Sequence, residues 1–142
     1  MRRYVLICAL TALFLALPAR SQDAAPAPTY PAVPLLSTST TIVGEPIRYP
    51  QGEAHVTAAI VTLAPGARTV MHKHGVPMFA YILDGEITVD YGAHGTRTYK
   101  AGQSLMEAMD VAHFGANTGA QPVRLIAVYM GATGAVDVVP VK

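Results

Sequence analysis

Cysteine occurs once in the 142 residues, at Cys8. It lies inside the apolar stretch "YVLICALTALFLAL", which follows a short basic start, "MRR", and precedes the small and polar "PARSQD". That order is the pattern of a secretory signal peptide. The stretch holds 14 residues, short of the ~20 that a membrane-spanning helix needs. Residues 1–21 are read as the signal, with Ala19 and Ser21 as the small residues near the cleavage point. Arg2-Arg3 also hints at a twin-arginine signal, although an ordinary basic start is the plainer reading. Bulky Ile7 before Cys8 argues against a lipoprotein anchor. Removal of the signal leaves no cysteine, which excludes disulfides and thiolate metal ligands. An oxidising compartment is harmless to such a chain, and the expected location is the periplasm or the extracellular space.

Basic charge is also scarce. Loss of Arg2, Arg3 and Arg20 leaves seven Lys and Arg against nine Asp and Glu, a net charge near −2 with neutral histidines. No run of basic residues survives, so nucleic acid and anionic membrane surfaces are poor partners. No stable membrane span remains after cleavage.

Helical patterning is the third shortage. Residues 22–36, "QDAAPAPTYPAVPLL", are rich in Ala and Pro and suit an extended linker or arm, with Tyr30, Leu35 and Leu36 as anchors if it packs on a partner. From residue 37 to 142 the chain reads as strand and turn. "STSTTIVG" is β-branched, and "HVTAAIVTLAPG" is an apolar run closed by Pro65-Gly66. "MFAYILDG" ends in Asp-Gly, which predicts a tight hairpin turn. "EITVDYG" alternates, placing Ile87, Val89 and Tyr91 on one face and Glu86, Thr88 and Asp90 on the other. "GAHG" turns the chain into "TRTYKAG", and "VRLIAVYMG" and "AVDVVPV" finish it. Short, glycine-punctuated strands predict an all-β sandwich or barrel.

His72 and His74 stand two apart in "HKHGVPM". In a strand such residues point to one side, roughly 6.5–7 Å apart along the chain, so both imidazoles can reach one divalent ion. Alone the pattern is weak. A second segment, "GQSLMEAMDVAHFGAN", adds His113.

The two segments together resemble the cupins, small jelly-roll barrels. The family's first motif is Gly, five residues, His-x-His, three or four residues, Glu, six residues, Gly. Gly66, His72, His74 and Gly85 match it, and the Glu position holds Met78. The second is Gly, five residues, Pro-x-Gly, two residues, His, three residues, Asn. Gly102, His113 and Asn117 match it, with Ala108 and Asp110 at the Pro and Gly positions. The resemblance spans residues 45–131. It implies that His72, His74 and His113 converge inside a barrel on one transition metal. It also leaves oligomeric state open, related barrels often forming homodimers through their sheets.

Three neutral imidazoles bring no negative charge, which suits zinc, copper or ferrous iron over harder ions. Met78 is either an apolar plug packed on Phe79, Tyr81 or Ile82, or a soft ligand favouring Cu(I). Glu107 is the candidate replacement charge: turned inward it would orient a histidine or act as acid/base, and turned outward it is a surface residue. His55 and His94 read as surface histidines. Asp110 reads as a loop carboxylate or an orienting partner of His113. Asn117 reads as a turn-fixing residue. Tyr81, Tyr91 and Tyr129 read as core or barrel lining, and Pro77 as shaping the barrel mouth. Three functions remain open: a metal-dependent oxidoreductase or dioxygenase acting on a small molecule, a non-catalytic metal- or ligand-binding module, and a metal-free relic with hydrogen-bonded histidines.

Overall fold

The computed structural model describes residues 30–142, so the expected signal, residues 1–21, and the first part of the arm lie outside the described residues. Nine strands follow in chain order: β1 Ala54–Leu63, β2 His72–Lys73, β3 Met78–Asp84, β4 Glu86–Asp90, β5 Thr96–Lys100, β6 Ser104–Met106, β7 Phe114–Ala116, β8 Val123–Ala132 and β9 Val139–Pro140. No α-helix occurs among the described residues, as the patterning predicts; the one helical turn is a 3-10 turn at Gly92–His94 inside the "GAHG" hairpin.

Four strands form a sheet in the order β1-β8-β3-β6, and three form another in the order β5-β4-β7. β2 pairs with β9, and the bridges His72↔His113 and Arg68↔Ala116 join that pair to the β7 segment. Every strand pairing is antiparallel. The two layers enclose one core, to which Ile82 and Leu125 come from the larger sheet and Ile87 and Val89 from the smaller. Alternation makes this possible: Met78, Ala80 and Ile82 point inward from β3 while Phe79, Tyr81 and Leu83 are only half-buried on its other face. Tyr81 therefore lies outside the core, whereas Tyr91 is buried within it and Tyr129 lines the cavity. Ile82 is fully buried, so truncation to Ala should cost ~2–5 kcal/mol.

Two expected elements differ. Asp84-Gly85 is no hairpin, because β3 and β4 belong to different sheets. The register shifts between Ile82 and Asp84, and Gly85 takes φ of 73°. A Cβ there would lie 2.6 Å from the Pro122 carbonyl oxygen. Glycine lets the chain cross between layers at a point no larger residue fits. "STSTTIVG" is no strand either, apart from one bridge, Thr40↔Pro46. Its hydroxyls serve the local backbone instead: Thr38 Oγ1 accepts from the Thr40 N–H at 3.1 Å, and Thr41 Oγ1 from the Glu45 N–H at 3.1 Å. "AVDVVPV" contributes only the two residues of β9.

Candidate metal centre

His72 opens β2, and His113 immediately precedes β7. The two exchange both backbone hydrogen bonds at 2.9 Å, which sets their side chains next to each other on one face. His74, two residues on, joins them. Ring centroids are 4.9 Å apart for His72 and His74, 4.6 Å for His72 and His113, and 5.2 Å for His74 and His113. All three are buried, and one ligand atom from each lies within 4.8 Å of the others.

Each ring is held the same way. Nδ1 lies 2.8 Å from the Val70 carbonyl in His72, 3.0 Å from that of Asp137 in His74 and 2.9 Å from that of Val111 in His113. A carbonyl only accepts, so Nδ1 carries the proton and Nε2 the lone pair. The Asp137 carbonyl reaches His74 because Gly75 lacks a side chain: a Cβ there would collide with the neighbouring Val136 carbonyl. Burial holds His74 down at about 4 against the Asp137 hydrogen bond, and burial likewise lowers His72 and His113. The rings are neutral at neutral pH. Nε2 of His74 and His113 are buried with no hydrogen-bond partner, a cost of roughly 1–3 kcal/mol each unless a Lewis acid takes the lone pair. Neutral imidazoles anchored through one nitrogen and free at the other fit a transition metal.

The rings face a cavity of about 80 Å³ walled by Met78, Ile82, Leu105, Leu125 and Tyr129. Met78 shares its face with Ala80 and Ile82 and belongs to the core cluster. Of its three expected packing partners, Phe79 and Tyr81 lie on the opposite face. Glu107 is 5% exposed, which rules out the surface reading. Its Oε1 is 4.0 Å from His113 Nε2 and accepts from the Ala108 N–H at 2.8 Å. Burial pushes its carboxyl up, opposed by hydrogen bonds from Tyr91 and Ala108. Tyr91 in turn lies 3.2 Å from Tyr99, hydroxyl to hydroxyl.

Asp110 is exposed and does not orient His113, whose Nδ1 goes to Val111. His55 and His94 are exposed, as expected. Pro77 is fully buried in the connection between β2 and β3. Asn117 donates to the Leu63 and Gln121 carbonyls at 2.9 and 2.8 Å and accepts from the Gly119 N–H at 3.0 Å, fixing the turn after β7. Gly66, Gly85 and Gly102 all take positive φ.

The sequence did not point to Glu45. Its carboxylate accepts from the N–H groups of Met109, Asp110 and Val111 at 2.8, 2.8 and 3.0 Å and from the Thr41 hydroxyl at 2.9 Å. It thus fixes the loop that carries the Val111 carbonyl to His113. The signal was thin, a lone Glu before Pro46.

A family profile described as the cupin domain matches residues 59–129, half of the chain. The chain belongs to the cupin family. Among solved structures, this cupin is similar to the polyketide cyclase RemF from Streptomyces resistomycificus at 17% identity and a TM-score of 0.54, over 64% of this chain and 63% of that one. It is similar to the Lactobacillus farciminis oxalate decarboxylase at 22% and 0.52, over 61% of this chain and 26% of that one. An oxalate oxidase gives 22% and 0.51, over 61% and 46%. This cupin thus spans less than two thirds of each of them, and at these identities the likeness establishes the fold alone. None of the curated proteins compared matches the chain. No helix among the described residues is long and apolar enough to cross a membrane.

Proposed function

We propose that this is an exported cupin in which His72, His74 and His113 hold one divalent transition metal, zinc, copper or iron, and that it acts on a small molecule as a metal-dependent oxidoreductase or dioxygenase. One observation carries the reading: three buried imidazoles turn toward one another with every Nδ1 bonded to a backbone carbonyl and two Nε2 lone pairs unpartnered. When bound, the ion supplies Lewis acidity in a cavity walled mainly by apolar side chains. The protein's share is to keep the rings neutral and fixed and to wall the site with Met78, Ile82, Leu105 and Leu125. Glu107 is the one carboxylate in reach for proton transfer. Export rests on the basic start and apolar run of residues 1–21.

The cavity itself favours a second reading. About 80 Å³ is well below the ~300–1,000 Å³ of ordinary ligand pockets, so a non-catalytic module holding a metal or a very small ligand in the periplasm fits it too. The partner proposed is a small molecule, with a homodimer as the assembly. Val56 and Ile60, 61% and 58% exposed on the edge strand β1, support the latter.

Elemental analysis of protein purified without a histidine tag comes first, and about one metal per chain is expected. Oxygen consumption and turnover of a panel of phenolics, keto acids and sugars then separate the two readings. Metal-loaded protein inert to all of them selects the binder, and metal-free protein that takes up no added ion ends both.

A further inference from the structure

Glu107 is the only buried acidic side chain among the described residues. It directly follows β6, where its N–H donates to the Met78 carbonyl at 2.9 Å. That bond continues the register that pairs Phe79 with Met106 by one step. Glu107 and Met78 are therefore cross-strand neighbours on the inner face of one sheet, a relation that sets Cβ atoms ~4.5–5.5 Å apart. Both line the cavity that the three imidazoles face. No Lys or Arg pairs with Glu107 among the described residues; its one charged-partner contact is His113 Nε2 at 4.0 Å. That nitrogen is one of the two without a hydrogen-bond partner.

A carboxylate buried without a cation costs several kcal/mol. The Ala108 N–H relieves part of that cost, but His113 Nε2 beside it is an unpaired acceptor and gives a carboxylate no donor. A cation between them relieves both at once. Small shifts close the distances. Metal–nitrogen and metal–oxygen bonds of ~2.0–2.2 Å in a tetrahedral site set two donors on one ion ~3.3–3.6 Å apart. The 4.0 Å between Glu107 and His113 reaches that spacing with a movement of ~0.5 Å. The imidazole donors, within 4.8 Å of one another, must draw in by at most ~1.3 Å, which rotation of the rings supplies.

We propose that Glu107 is the fourth protein ligand of the metal centre, reaching the ion from the strand opposite Met78. This rests on the metal-binding reading above and deepens it. Met78 is then a wall of the site. Three imidazoles and one carboxylate neutralise part of the ion's charge and favour Zn(II), Fe(II) or Cu(II) over Cu(I). A carboxylate bound to the ion is a weaker base than a free one, so ligation reduces the acid/base role.

Cobalt(II) titration of the metal-stripped full-length protein, followed by calorimetry and visible absorption, tests it. Glu107→Gln should weaken cobalt binding by more than ~100-fold, beyond the ~10–100-fold typical of a residue that only orients a ligand, and should change the visible spectrum. Adding Met78→Glu to Glu107→Gln returns a carboxylate to the same face and should recover most of the affinity. If Glu107→Gln binds cobalt like the parent with the same spectrum, the proposal falls and the three-histidine centre stands. If the parent binds no more tightly than His72→Ala, the metal-binding reading falls and takes the proposal with it. Should Glu107→Gln not fold, a crystal structure of the zinc-loaded parent decides: Glu107 bound to the ion supports the proposal, and a carboxylate more than ~3 Å away overturns it.

Discussion

At the scale of single residues, the site is an exercise in keeping imidazoles uncharged. Burial lowers the folded-state pKa of His72, His74 and His113, so below pH ~6.5, the value of a free imidazole, the unfolded chain binds protons that the folded chain refuses. The metal-free protein should be fully stable above that pH and lose stability as pH falls towards about 4, where His74 protonates in the folded state. Glu107, raised by burial, has the opposite sign, so the slope is read in the Glu107→Gln background, where the rings act without it. Urea midpoints of the stripped variant across this range check the slope, and a midpoint that rises into acid would contradict it. Met78 offers a second test. Its place in the core cluster predicts that Met78→Leu, close in volume, costs less than ~1.5 kcal/mol and leaves zinc and cuprous affinity within about twofold. A collapse of cuprous binding alone would instead identify the thioether as a ligand.

At the scale of elements, the loop of residues 107–113 matters as much as any strand. Glu45 ties three successive N–H groups of it. Burial raises its carboxyl, but the bonds from Met109, Thr41, Asp110 and Val111 together outweigh that and hold it below the usual carboxylate range. Hydrogen bonds to a charged group are worth ~1.5–3 kcal/mol, so Glu45→Gln should cost about 2 kcal/mol in urea unfolding near pH 7. Because the folded pKa is lowered, the parent's advantage over the variant should be present above pH ~4.3 and vanish as acid protonates Glu45 in the folded state. The sequence spoke unevenly about these elements. β4 was legible from alternation, because a half-buried strand writes its burial into every second residue; β1, β3 and β8 were legible from apolar runs, although β1 lies largely exposed. Asp84-Gly85 was misread, because a turn signal marks a reversal or corner and carries nothing about which sheet comes next. Glu45 was silent, because its partners are backbone groups 64–66 positions away that leave no mark in side-chain identity. The histidines lay between these cases: His72 and His74 announced themselves by spacing, while His113 needed the family pattern to join them.

At the scale of the whole molecule, β1 is the exposed edge of the larger sheet, and both its faces are largely uncovered. Two copies joined along it would bury Val56 and Ile60. Sedimentation velocity at micromolar concentration should show a dimer, with Ile60→Lys shifting the population to monomer and leaving metal content unchanged; a parent that stays monomeric rules out this assembly. A different property follows from the three carbonyls that receive the imidazole N–H groups. They belong to the main chain of Val70, Val111 and Asp137, so what aims the rings is the path of the polypeptide and not the chemistry of its substituents. A saturation mutagenesis survey would then find these three positions permissive to most replacements, though they touch the heart of the protein. Drift could erase their identities while the aim of the histidines persisted, hidden from any comparison that reads letters alone.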